Sequence, residues 1–139
     1  IAAKNEFRRQ PGHVIDVMAT VVDVAGAVYP QEFNGKAIRP MEGRSLVPAF
    51  ADKPIAREAI YWEHEGNAAI RVGDLKLVRA GRNAAWELYD LRKDRTELLN
   101  LAEAQPDKVK ELATLWETWA VRAQVKPYPE TGAKKAKAK

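Results

Sequence analysis

The 139-residue chain has no cysteine, which removes a disulfide scaffold and any thiolate-held zinc or iron–sulfur site. It has a single serine, Ser45, and two histidines, His13 and His64. There is no Gly-x-Ser-x-Gly elbow, no glycine-rich phosphate loop and no His-x-x-x-His, so the usual sequence signatures of serine hydrolases, nucleotide binders and zinc enzymes are missing. No apolar run approaches the roughly 18 residues of a membrane-spanning helix, and no membrane partner is expected. The first ten residues, IAAKNEFRRQ, lack the apolar core of a secretory signal. Because the chain opens on Ile1 rather than Met, it is expected to be a processed or cut piece of something longer.

A one-sided charge is also nearly absent. The net charge is +4, but Lys134, Lys135, Lys137 and Lys139 supply four of 23 positive side chains, which leaves 19 against 19 acidic ones. The body is neutral, and a nucleic-acid partner is not expected. The tail at 127–139 has little apolar surface to bury and is expected to be disordered.

What remains is an ordinary globular composition, 46% hydrophobic and 30% charged, long enough to bury a core without staples. Residues 12–26, GHVIDVMATVVDVAG, are rich in β-branched residues. Their spacing nevertheless predicts a helix over about 13–25, because Val14, Val17, Met18, Val21, Val24 and Ala25 recur at helical intervals. Asp16 and Asp23 fall off that stripe, and Gly26 supplies a stop. The valine stripe is expected to be the buried face. Residues 31–56 carry Pro40, Pro48 and Pro54 with Gly35 and Gly43, and read as a connector with one short helical turn near Leu46–Phe50 that Ser45 can cap.

The region 57–126 reads as four short strands and a helix. The strands are expected at 57–62, 68–72, 75–79 and 86–89, too closely spaced for parallel crossovers, hence an antiparallel meander. Ile70, Val72, Leu75, Leu77, Trp86 and Leu88 fall on one face, and Arg71, Lys76 and Glu87 on the other. The apolar face needs a cover, and residues 106–122 supply it. Pro106 suits the first helical position, and Val109, Leu112, Ala113, Trp116, Trp119 and Ala120 form a continuous stripe. The fold class is α+β.

The one dense polar cluster is Glu63, His64, Glu65, Gly66 and Asn67, read as a loop between the first two strands. Two carboxylates, an imidazole and an amide at a hairpin tip can bind a polar substrate; the same residues also make an ordinary solvent-facing turn. A metal site is not expected, because alternate strand residues point to opposite faces and cannot all reach one ion. No catalytic residue is assigned. His13 reads as a packing or capping residue, and Arg71 and Lys76 as the wet face of the sheet.

The order of segments then becomes informative. PGHVIDVMATVVDVAGAVYP, EGRSLVPAF, REAIYWEHEGNAAIRVGDLKLV, WELYDLRKDRTELLNLA and PDKVKELATLWETWAVR together resemble the C-terminal part of bacterial arylsulfatases of the formylglycine-dependent sulfatase family. The resemblance covers roughly residues 10–128. It departs at Ala19, where the family usually has proline, and at Leu75, where many relatives have tryptophan.

The resemblance implies an alkaline-phosphatase-like parent enzyme that hydrolyses sulfate esters with a formylglycine nucleophile and Ca²⁺, in the periplasm or outside the cell. Its C/S-x-P-x-R motif and sulfate ligands belong to an upstream α/β domain, and no residue of this chain matches them. On this view 1–30 is the end of that domain, 31–56 the connector and 57–126 the C-terminal subdomain. The missing domain is then the expected partner of the valine stripe, with self-association through 14–25 as the other outlet for it. Glu63, His64, Glu65 and Asn67 are the candidate substrate-binding residues. The alternative is a small stand-alone binding module that uses the same 63–67 tip.

Overall fold

The structure, a computed structural model, describes residues 5–126; the lysine-rich tail lies outside the described residues. In chain order the elements are α1 (Asp16–Val24), β1 (Glu32–Phe33), β2 (Lys36–Ala37), α2 (Val47–Phe50), β3 (Ile60–His64), β4 (Asn67–Val72), β5 (Leu75–Arg79), β6 (Glu87–Asp90) and α3 (Pro106–Arg122). The chain divides into two compact units between Arg57 and Glu58.

In the first unit α1 is amphipathic in the opposite sense to the one its sequence suggests. Val14, Val17, Met18, Val21 and Val24 are 57–77% exposed, whereas Asp16 and Ala19 are buried. The valine stripe is thus not buried by the described residues of this unit, as expected of a face whose partner lies outside this chain. The connector packed on α1 offers no apolar strand to receive valines; it offers unpaired backbone amides, and those need acceptors.

Asp16, Thr20 and Asp23, at i, i+4 and i+7, supply the acceptors. Asp16 takes hydrogen bonds from the backbone N–H of His13 at 2.7 Å and of Arg44 at 2.9 Å, and from the Arg57 guanidinium. Thr20 Oγ1 donates to the Asp16 carbonyl at 2.7 Å and accepts from Leu46 N–H at 2.9 Å. Ser45 Oγ donates to Asp23 and accepts from Val47 N–H at 3.2 Å, so it supports the start of α2 one position outside its cap. Gly43 passes so close to α1 that a Cβ there would lie 2.1 Å from the Ile15 carbonyl oxygen.

The connector is not wholly irregular. Glu32↔Ala37 and Phe33↔Lys36 pair in a small hairpin, turned by Asn34 (φ 51°) and Gly35 (φ 71°). An Asn-Gly pair with both residues left-handed fits the tight turn that matches strand twist.

The second unit has the expected architecture: a four-stranded antiparallel sheet in the order β3-β4-β5-β6, covered on one face by α3. Ala68, Ile70, Leu77 and Leu88 from the sheet meet Leu112, Trp116 and Ala120 from the helix in one core. Trp116 is fully buried and its indole N–H donates to the Trp62 carbonyl at 3.0 Å. Trp119 stacks on Tyr61 with ring centres 5.0 Å apart. Both indoles thus face the sheet.

On the opposite face Arg71 pairs across with Lys76, Lys76 Nζ lies 2.6 Å from Glu97, and Tyr89 Oη donates to Glu87 at 2.7 Å. The outer side of β6 is closed by Asn100, whose Oδ1 accepts from Leu88 N–H at 3.0 Å, and by Leu101, whose N–H donates to the Leu88 carbonyl at 2.8 Å. An edge strand protected in this way cannot recruit another strand.

Candidate functional site

The polar cluster at 63–67 sits at one end of the sheet, and the structure corrects its shape. It is not a five-residue loop. The β3–β4 pairing continues through Glu63↔Ala68 and His64↔Asn67, which leaves Glu65 (φ 53°) and Gly66 (φ 92°) as a two-residue turn. Strand alternation therefore splits the cluster between the two faces, as it must along any strand.

Each of the four candidate side chains has a distinct placement. Glu63 Oε1 accepts from the Gly66 N–H at 2.8 Å and so closes the turn. Asn67 is used on both sides: its Nδ2 donates to the His64 carbonyl at 2.9 Å, and its Oδ1 accepts from Gly81 N–H at 2.9 Å. His64 and Glu65 point outward, with side chains 81% and 84% exposed and His64 Nδ1 3.9 Å from Glu65 Oε2.

A neighbour absent from the sequence reading completes the site. The β5–β6 loop reaches the same sheet end, and the Arg82 stem lies over Gly66, where a Cβ would meet Arg82 Cγ at 2.8 Å. Beside it Arg79 is held against Trp86, its guanidinium 4.6 Å from the ring centre. That contact is a cation–π pair in a nearly dry setting.

The ionisations displaced from their ordinary ranges lie elsewhere. Burial alone would push the Asp16 carboxyl up, but the Arg57 guanidinium and the Arg44 and His13 amides together hold it below the usual carboxylate range. Hydrogen bonds from the Leu99 amide, and then from Leu98 and Thr96, hold Asp94 down despite partial burial. Tyr89 is pushed up to about 12, first by its hydrogen bond to Glu87 and then by burial. These groups read as structural, because each is spent on a neighbouring segment of backbone or on the sheet.

Among the described residues no three His, Asp or Glu side chains come together as a metal site. Among the described residues, then, no carboxylate cluster is assembled that would hold Ca²⁺. Nor does the chain fit a formylglycine: it has no cysteine, and Ser45 stands in Ser-Leu-Val-Pro-Ala rather than in C/S-x-P-x-R. Among the described residues no helix is long and apolar enough to cross a membrane.

Comparison with known proteins places this arrangement. Residues 3–122 match the family described as N-sulphoglucosamine sulphohydrolase, C-terminal. An uncharacterized sulfatase of Schizosaccharomyces pombe is 32% identical over 124 residues, covering 84% of this chain and 22% of that protein. Arylsulfatase K of Danio rerio is 26% identical over 110 residues, covering 76% and 21%. The crystal structure of Ps i-CgsB shares the fold with a TM-score of 0.66 at 18% identity, over 81% of this chain and 25% of that one.

The chain thus spans about a fifth of the length of the curated relatives it matches. Both of those relatives are eukaryotic, so the kinship is with sulfatases at large and carries no bacterial source. On the match across 3–122, with the four-stranded sheet and its covering helix, this chain belongs to the N-sulphoglucosamine sulphohydrolase C-terminal family, the C-terminal domain of formylglycine-type sulfatases.

Proposed function

We propose that this chain is the C-terminal region of an enzyme that hydrolyses sulfate esters, and that it shapes the mouth of the active-site cleft without performing the chemical step. The family match over 3–122 carries the reading. In such an enzyme a formylglycine supplies the nucleophile and Ca²⁺ offsets the charge of the sulfate oxygens, both from an upstream α/β domain. The division of labour follows from the residues in hand, since this chain holds no motif for either group.

His64 and Glu65, at the tip, contact the alcohol part of the ester. The tip carries the exposed carboxylate and imidazole of Glu65 and His64 with the Arg82 stem lying over Gly66, so it suits polar, hydroxyl-bearing parts of the substrate through hydrogen bonds. The exposed valine face of α1 is the seat of the upstream domain, whose sheet supplies the apolar surface that this unit lacks. Its location, like that of the family it resembles, is periplasmic or extracellular.

The direct test compares the 139-residue chain with a complete sulfatase that contains it, using an aryl sulfate. Only the complete protein is expected to release the phenol. Turnover by the chain alone above a buffer control overturns the reading.

A further inference from the structure

Two of the four tip residues, Glu63 and Asn67, are committed to backbone groups, and this commitment separates their roles from those of His64 and Glu65. Asn67 bridges two loops that are distant in sequence, with Oδ1 on the Gly81 N–H at 2.9 Å and Nδ2 on the His64 carbonyl at 2.9 Å. Gly66, left-handed at φ 92°, lies under the stem of Arg82, in a space that any Cβ would contest. Glu63 closes the same turn from within through the Gly66 N–H. The outcome is a two-residue turn pinned at three points, from which His64 and Glu65 project with side chains more than four-fifths exposed.

We propose that Asn67 is a positioning residue: by clipping the β3–β4 turn to Gly81 of the β5–β6 loop, it fixes where His64 and Glu65 meet the substrate, and it does not contact substrate itself. This rests on the reading of the tip as part of the substrate-selecting surface. A two-residue hairpin end otherwise frays, because its last ladder pair has neighbours on one side only. The clip removes that freedom before substrate arrives, so less ordering is needed on binding. Arg82 and Gly81 therefore belong to the selecting surface although neither is part of the polar cluster.

Amide exchange and kinetics test this separately. In the 139-residue chain Asn67→Ala is expected to speed exchange at Gly81 by at least about tenfold, whereas Leu77 in the middle of β5 stays protected. Asn67→Asp keeps the Oδ1 acceptor and is expected to retain protection at Gly81. In the complete sulfatase Asn67→Ala is expected to raise KM as His64→Ala does, with kcat nearly unchanged and Asn67→Asp recovering most of the loss. Unchanged Gly81 exchange in Asn67→Ala overturns the clip. A KM raised by His64→Ala but not by Asn67→Ala overturns its positioning role, as does an Asn67→Asp variant that protects Gly81 yet recovers no KM. Fast Gly81 exchange with KM unmoved in both Ala variants supports the clip and sinks the substrate reading of the tip instead.

Discussion

The Asp16 carboxylate and the Arg57 guanidinium, 41 residues apart in sequence, form an ion pair whose side chains are 0% and 9% exposed. Breaking a buried pair strands the surviving charge, at a cost of roughly 3–5 kcal/mol. Arg57→Met is expected to destabilise the first unit by an amount in that range. Asp16→Ala is expected to cost at least as much, because the His13 and Arg44 amides also lose their acceptor. Urea unfolding of the chain and its variants measures both, and midpoints within error of the parent contradict the account.

The same pair sets the acid limb of stability. Asp16 ionises below its ordinary value in the folded chain, so the unfolded chain binds the proton first as pH falls. Its contribution is full above roughly pH 5 and is lost as pH drops through the unfolded value near 3.9 and then the folded one. Asp94 acts with the same sign. Tyr89 acts oppositely: raised to about 12, it contributes fully below about pH 10 and loses that contribution between about 10 and 12. Melting temperature against pH should fall on both sides, and Tyr89→Phe should flatten the alkaline limb alone.

Gly43 is fixed by space rather than by dihedral angle. A methyl group there meets the Ile15 carbonyl at 2.1 Å, backbone against backbone, which neither side can relieve by a rotamer change. Gly43→Ala is expected to cost at or beyond the upper end of the roughly 1–3 kcal/mol typical of overpacking. An unchanged unfolding midpoint would show that the connector can move away from α1.

The second unit was legible because alternation and helical spacing report directly on burial. Ile70, Leu77 and Leu88 alternate with Arg71, Lys76 and Glu87, and the alternation by itself assigns both faces of the sheet. The first unit was not, since Asp16 off the valine stripe reads as a solvent residue until its partners at 44 and 57 are known. The Asn34-Gly35 hairpin carried a local signal that the surrounding prolines obscured. At the tip the residue types were visible in sequence but their division was not: Asn67 and Glu63 are bound to backbone through contacts that only the turn geometry creates, and Gly81 lies 14 residues from Asn67.

The exposed valine face predicts a contrast between contexts. Val17→Asp with Val21→Asp should change the stability of the 139-residue chain by no more than about 0.5 kcal/mol, as for substitutions at an open surface. Sedimentation of the unsubstituted chain should show any self-association through this face, and the double variant should abolish it. In a complete sulfatase the same pair should sharply reduce the folded yield. Strong destabilisation of the isolated chain would mean that its valines are buried after all.

The most direct test of the account is steady-state kinetics of His64→Ala in a complete sulfatase, with the native ester and a small aryl sulfate side by side. A residue that selects the alcohol part but does not act on sulfur contributes binding that is equal in the ground and transition states. KM should therefore rise for the native ester more than for the small aryl sulfate, with kcat falling less than about tenfold, which corresponds to about 1.4 kcal/mol. Loss of kcat on both substrates would place His64 in the chemistry, and unchanged constants on both would reduce the tip to a turn; either result contradicts the account.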